Sequence, residues 1–394
     1  MSEYQYYEFR AIDRPLNEDE MDELRHLSTR ADITPTSFIN TYHWGDFKGD
    51  PNVLMDRYFD AFVYVANWGS RWLMFRIPRR FLDPKMAAAY CGNKEFLSLK
   101  AGKEHVVLVF TSEDESGGEW TEGEPWMASL IALRSELMRG DDRALYLGWL
   151  ASLPPCGPDD GDEEDVEDDR LEPPVPPGLA KLSASLRALA EFLRVEDELI
   201  EVAAAGSVGD PPSAPSPDEL ARWVKSLPAA DKDAYLLRFV ADEGDIPLRA
   251  ELSKRFREAT APRGARRAPD AGRRTVGQLL VARDALVREK DRKAAERVAR
   301  EKARREREQA EARAKALDAL ARREPAAWRE VEELIAMKRP HDYDRAVTLL
   351  VDLRDLAERS GRVTEAESQI RDLRYRHRNK PSFLSRLDAK NLGR

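Results

Sequence analysis

The sequence is poor in the residues that most often advertise chemistry. Its 394 residues include two cysteines, Cys91 and Cys156, and five histidines, His26, His43, His105, His341 and His377, scattered along the chain. Two thiols exclude a disulfide framework and a four-thiolate zinc site, and they fit a reducing, cytoplasmic setting. No apolar run approaches the roughly 20 residues that a transmembrane helix needs, so no membrane partner is expected. The opening MSEYQYYEFR has neither the basic nor the apolar region of a signal peptide. Phosphate-cradling motifs are missing: there is no GxxxxGK followed by Ser or Thr, and no GxGxxG after a strand. HExxH and the GxSxG nucleophile elbow are missing too. No cofactor, no metal site and no catalytic residue can be named on this basis, and the chain reads as a non-enzyme.

Charge is plentiful and unevenly placed. The net value of −9 conceals −8 over residues 1–150, −13 over 151–261, +10 over 262–323 and +2 over 324–394. The first stretch also holds 23 of the 32 aromatics, which locates the main core there. A strongly basic stretch following a strongly acidic one points to charged partners, in cis or in trans. Arginine outnumbers lysine 48 to 16, as a GC-rich genome would produce without any functional cause.

Three breaks divide the chain. PPCGPDDGDEEDVEDDRLEPPVPPG (154–178) packs nine acids into residues 159–169 and has little to bury, so it reads as a disordered acidic linker. GSVGDPPSAPSP (206–217) and APRGARRAPDAGRR (261–274) are the second and third. The domains expected are an α+β domain over 1–153, the linker 154–178, a helical bundle over 179–260 interrupted at 206–217, a basic linker 261–274, a long charged helix 275–324 and a helical domain 325–394.

In the first domain, YQYYEFRAI (4–12) is a strand, and Asn17 with Glu20 opens a helix. Residues 33–44 read as a strand interrupted early by Pro35. Pro51 suits a first helical turn, and Leu54, Tyr58, Phe62 and Val65 continue at helical spacing. Residues 71–77 and 105–111 are strands; 125–139 and 142–153 are amphipathic helices. The order implies a mixed sheet with packed helices. Downstream, Leu182, Leu186, Leu189 and Leu193 mark one helix. Leu220, Trp223, Val224 and Leu227 mark a second, Tyr235, Leu236 and Phe239 a third, and Leu248, Leu252 and Phe256 a fourth.

From Thr275 to Arg323 there is no proline, and no glycine after Gly277, which allows a continuous helix about 73 Å long. Val298 is its only large apolar residue between Arg288 and Lys315, so it cannot pack a conventional core face. Arg283, Lys290 and Arg297 fall where a coiled-coil seam would continue. Glu289–Lys293, Glu296–Arg300, Glu301–Arg305 and Glu311–Lys315 are favourable i,i+4 pairs, as in a solvated spacer. The competing reading is a basic arm for phosphates or an acidic protein. Its contacts would be Arg266, Arg267, Arg273, Arg274, Arg292, Arg297, Arg300, Arg304 and Arg305.

The tail forms four helices, around Trp328–Ile335, Tyr343–Leu356, Ile370–Tyr375 and Phe383–Leu387. The pair around residues 343–378 looks like one tetratricopeptide-type hairpin without a 34-residue repeat.

Smaller constellations have plainer readings. Cys91 and His105 share a domain, but the MAAAY run before Cys91 implies a buried thiol. YHWGD (42–46) suits a packed turn better than a metal site. Asp56 and Asp60, at i,i+4, read as solvated carboxylates. The acidic run 159–169 lacks the spacing of a calcium loop and reads as a solubilising linker or a mask for the basic arm.

Two resemblances add to this. YQYYEFRAIDRPL (4–16), YHWGDFKGDP (42–51) and ELARWVKSLPAADKDAYLLRF (219–239) resemble a family of uncharacterised bacterial proteins. WREVEELIAMKRPHDYDRAVTLLVDLRDLAERSGR (328–362) and HRNKPSFLSRLD (377–388) resemble the tail of some bacterial SWIM zinc-finger proteins. The CxC and CxH of the SWIM motif are absent, so the resemblance implies the helical tail and not zinc. The leading expectation is a non-enzymatic adaptor or scaffold that binds protein partners through its helical modules. The alternative is a protein that contacts nucleic-acid phosphates, and the third is an enzyme with a site in the first domain.

Overall fold

The computed structural model describes residues 4–114, 124–156, 168–207, 209, 217–241, 248, 251–252, 255–256, 259 and 273–393. Residues 157–167 of the acidic linker, most of the 206–217 loop and most of the basic linker therefore lie outside the described residues, whereas residues 168–178 of the acidic linker are described. The chain divides into two compact units, Met1–Glu289 and Lys290–Arg394.

Among the described residues the first unit has seven strands: β1 (Gln5–Arg10), β2 (Asp32–Thr34), β3 (Ser37–Tyr42), β4 (Ala61–Ala66), β5 (Arg71–Pro78), β6 (Leu97–Ala101) and β7 (His105–Ser112). They form one sheet in the order β2-β3-β1-β4-β5-β7-β6. Every pairing is antiparallel, so the expected mixed sheet is corrected to an antiparallel one. Three of the pairings, β2–β3, β4–β5 and β6–β7, are hairpins between consecutive strands, whereas β1–β3, β1–β4 and β5–β7 pair strands that are not consecutive.

The helices of this unit are α1 (Glu18–Leu27), α2 (Pro51–Arg57), α3 (Pro84–Ala88), α4 (Glu124–Leu130), α5 (Ala132–Met138), α6 (Arg143–Leu150), α7 (Ala184–Phe192), α8 (Asp197–Ala205), α9 (Pro217–Ser226) and α10 (Ala229–Val240). Asn17 and Glu20 close a reciprocal capping box at the start of α1. Helix α2 stops at Arg57, and Phe62 and Val65 belong to the central strand β4. That strand is buried along its whole length. Phe62 and Tyr64 join Phe9, Phe38, Leu54 and Met55 in one core, whereas Ala61, Val63 and Val65 join Leu73, Phe75 and Phe110 in another. A strand apolar on both faces shows no alternation, which is why its spacing mimicked a helix.

The second of these cores overturns the boundary expected at residue 153. It continues without interruption through Leu145 and Trp149 of α6 to Leu186, Leu189 and Phe192 of α7 and Leu199 of α8. It also includes Val276, Leu279 and Leu280, the first turns of α11 (Val276–Ala321). The expected bundle over 179–260 is accordingly divided, with α7 and α8 part of the sheet's core. Trp223 of α9 meets Phe256 edge-on at 5.5 Å, and Leu248 is also buried.

The second unit contains the remainder of α11 with α12 (Glu324–Ala336), α13 (Pro340–Arg359), α14 (Val363–Arg376) and α15 (Pro381–Ala389). Its core joins Leu317 and Leu320 of α11 to Val331, Ile335, Leu350, Ile370 and Phe383. Prolines open α12, α13 and α15 at the first turn, where a missing N–H costs no intrahelical bond.

Candidate functional site

The nine arginines proposed from sequence fall into three groups. Arg266 and Arg267 lie outside the described residues. Arg273 and Arg274 are described, and they are anchors inside the fold. Arg274 donates from Nε and from a terminal nitrogen to the two Glu172 oxygens, both at 2.8 Å, and to the Val202 carbonyl at 2.9 Å. Arg273 donates to the Glu172 carbonyl oxygen. Around this clasp the backbone of 168–172 pairs with that of 274–277. Glu172 N–H bonds Arg274 O at 3.0 Å, Val276 N–H bonds Arg170 O at 2.8 Å and Gly277 N–H bonds Asp168 O at 3.0 Å. The Tyr146 hydroxyl donates to Glu172 as well, and burial and then the adjacent carboxylate push its pKa well above the ordinary tyrosine value. Glu172 is buried, and a buried carboxylate persists only when such partners surround it. Arg273 and Arg274 are thus committed to structure rather than to a ligand.

Arg292, Arg297, Arg300, Arg304 and Arg305 are all exposed on α11, in a stretch where every residue from 288 to 312 is exposed. Of the four i,i+4 pairs counted from sequence, Glu301–Arg305 closes at 2.6 Å. Arg304–Glu308 at 3.7 Å and Arg307–Glu311 at 3.0 Å run in the opposite order. Arg283, at the position that breaks a coiled-coil seam, is buried. It donates to the Pro154 carbonyl at 2.6 Å and sits 3.3 Å from Glu196.

The smaller constellations are packed and satisfied. Asp60 is buried at the start of β4, so the reading of Asp60 as a solvated carboxylate is corrected; its i−4 neighbour Asp56 pairs with Lys100 at 2.6 Å. Asp60 accepts the backbone N–H groups of Ile12 at 2.7 Å and Asp13 at 2.8 Å, and Arg76 lies 2.9 Å away. Arg134 grips Asp13 with two bonds of 2.9 and 2.7 Å and lies 3.7 Å from Asp60. Burial alone would raise the Asp60 pKa. Arg134, Arg76 and the two amides outweigh it and hold the carboxyl below its ordinary value. Burial pushes the Cys91 thiol up to about 11, and its Sγ contacts the Ala87 carbonyl at 3.5 Å. A thiol so placed is protonated at neutral pH and a poor nucleophile. In the 42–46 turn, Gln5 donates to Gly45 O at 3.0 Å and to Asp46 Oδ1 at 2.8 Å, while Gly45 takes a φ of 76°.

Helix α10 carries a surface that sequence reasoning missed. Tyr235 and Arg238 turn inward toward Glu251, at 3.3 and 3.1 Å. On the remaining surface, Leu236 is 63 % exposed, Leu237 70 %, Phe239 62 % and Val240 80 %. None of the helix's twelve residues is buried. The apolar spacing was visible in the sequence, but periodicity cannot distinguish a face that meets the core from one that meets solvent. Val224 of α9 is exposed as well. An open groove of about 1140 Å³ lies along α7 and α8 and is lined by Leu182, Ala190, Arg194, Val195, Ile200 and Ala204.

Among the described residues, no group of three or more His, Cys, Asp and Glu side chains could hold a metal ion. None of their helices is long and apolar enough to cross a membrane. Comparison with family models, with curated proteins and with solved structures finds nothing that matches the chain.

Proposed function

We propose that this protein is a non-enzymatic adaptor that holds protein partners through its helical modules. The observation that carries the reading is α10, which exposes four large apolar side chains within five residues and buries none. Leu236, Phe239 and Val240 stand at i, i+3 and i+4, so they form one ridge of the kind that a partner covers. Covering it is worth roughly 25 cal/mol for each Å² of apolar surface removed from water. The buried ionisable groups support the same reading: Asp60 is held by Arg76 and the amides of Ile12 and Asp13, Arg134 by Asp13 and the Arg76 carbonyl, and Glu172 by Arg274 and the Tyr146 hydroxyl. We read α13 and α14 as a tetratricopeptide-like hairpin that offers a further protein-binding module, in keeping with the tail's resemblance to SWIM proteins.

The test compares the proteins captured by the intact chain from its native cell with those captured by a Leu236→Glu, Val240→Glu variant. Each sample is divided, and one half is treated with nuclease. A discrete set retained by the wild type and lost by the folded variant is the expected result. Identical sets would remove α10 from the reading, and a set that disappears on nuclease treatment would transfer it to nucleic acid.

A further inference from the structure

The helical phase of α11 sorts its charges in a way that net charge does not reveal. Successive residues turn by about 100° and rise about 1.5 Å. Lys290, Lys293, Arg297, Arg300, Arg304 and Arg307 follow one another in alternating steps of three and four residues, and all six are exposed. That spacing puts them on one face, in a file about 26 Å long and within an arc of roughly 100°. No acid occupies the file. Of the four acids between its ends, Asp291 and Glu306 lie across the helix, Glu296 borders the file, and Glu301 is held by Arg305 at 2.6 Å. Arg292 and Arg305, both expected as contacts, lie about 110° round the helix from the file's midline.

In a coiled coil this spacing is filled by apolar residues that meet a partner helix. Here it is filled by cations, so the face repels a second copy of itself and attracts a linear polyanion. We propose that the file binds the phosphate backbone of a nucleic-acid duplex without reading its bases. A duplex offers one negative charge per about 1.7 Å of axis, denser than one cation per about 5 Å of file, so each cation finds a phosphate. Four of the six are arginines, whose planar forks grip phosphate oxygens in pairs. The Arg304–Glu308 and Arg307–Glu311 pairs are exposed and worth under about 1 kcal/mol, weak enough for a phosphate to displace the glutamate. An acidic protein surface supplies its charge in patches, whereas the file is straight and unbroken. This surface is independent of the α10 ridge.

The experiment measures binding of the full chain to a labelled duplex of mixed sequence across a salt series. One variant neutralises the file at Arg297→Gln, Arg300→Gln and Arg304→Gln. A second removes the same charge off the file at Arg288→Gln, Arg292→Gln and Lys302→Gln. Circular dichroism checks that both keep their helix content. The wild type should bind independently of sequence, with log affinity falling linearly in log salt. The file variant should lose at least tenfold and flatten that slope by about 2.7, at 0.9 per phosphate contact. The off-file variant should lose threefold or less. Equal losses in the two variants, no wild-type binding at low salt, or competition by polyglutamate as strong as that by unlabelled duplex would each overturn the proposal.

Discussion

Arg274 closes on Glu172 across 102 positions of sequence, with two parallel contacts of 2.8 Å that seat the start of α11 against the segment leaving the acidic linker. A fork-to-carboxylate pair of this geometry is strong because both partners are charged and the carboxylate is out of water. It also explains why a basic stretch that looks like a ligand-binding arm contributes two of its arginines to the fold.

Replacing Arg274 should therefore destabilise the first unit. Arg274→Met keeps the aliphatic stem but leaves Glu172 with the Tyr146 hydroxyl as its remaining side-chain partner. The expected cost is about 3 kcal/mol, the range for a buried ion that loses its counter-charge. Urea unfolding followed by tryptophan fluorescence would measure it. A loss under about 1 kcal/mol would show that the clasp is relaxed in solution.

Asp60 should link stability to acid. Its folded pKa is depressed, so the stability it contributes is complete above the ordinary carboxylate value and is lost as pH falls through the lower folded value. Asp60→Asn should cost about 3 kcal/mol at pH 7, because Arg76 and the buried Arg134 lose a shared counter-charge. The variant should also unfold with a shallower dependence on pH below about 4. Parallel acid titrations of the two proteins check both statements.

Much of the fold was legible wherever one element decided its own fate. Asn17 and Glu20 announce α1, the short apolar runs at 72–75 and 106–110 announce β5 and β7, and the absence of proline, and of glycine after Gly277, announces α11. Strand β4 was not legible, because residues buried on both faces lose the alternation that identifies a strand. Strand β6 and the sheet order depend on pairings between distant segments. The same limit applies at the surfaces: Leu236 and Phe239 have core-like spacing, and whether they are covered is decided by neighbours far away in sequence. The cationic file was present in the spacing of the α11 residues, but counting i,i+4 pairs drew attention to the opposite charges instead.

Arg194 offers a test of backbone strain separate from contact. It takes a φ of 57° just after α7, where Val195 N–H bonds Ala190 O at 2.9 Å and Arg194 N–H bonds Glu191 O at 3.2 Å. This is a Schellman closure, in which glycine is the usual residue. The guanidinium compensates by donating to Ser112 Oγ at 2.7 Å and Gly69 O at 2.9 Å. Arg194→Gly and Arg194→Ala lose the same contacts, but only alanine keeps the left-handed strain. The glycine variant should be more stable than the alanine variant by about 1 kcal/mol. Thermal melts of the two would decide it, and equal stabilities would mean that the turn relaxes on substitution.

The sheet domain should extend well beyond residue 153. A fragment of residues 1–153 looks self-sufficient by composition, since it holds 23 of the 32 aromatics. Its core does not end there: Leu186, Leu189 and Phe192, with Leu279 and Leu280 of α11, are buried in the same cluster as Phe75, Phe110 and Trp149. Truncation would bare the inner surface of α4–α6 and remove several fully buried side chains at once, each worth about 2–5 kcal/mol by comparison with single deletions to alanine. That exceeds the 5–15 kcal/mol that holds an ordinary domain together. Residues 1–153 should therefore lack a cooperative thermal transition and bind hydrophobic dyes, whereas 1–289 should melt cooperatively. A sharp calorimetric transition for the shorter fragment would show that α7, α8 and the root of α11 dock onto a core already complete.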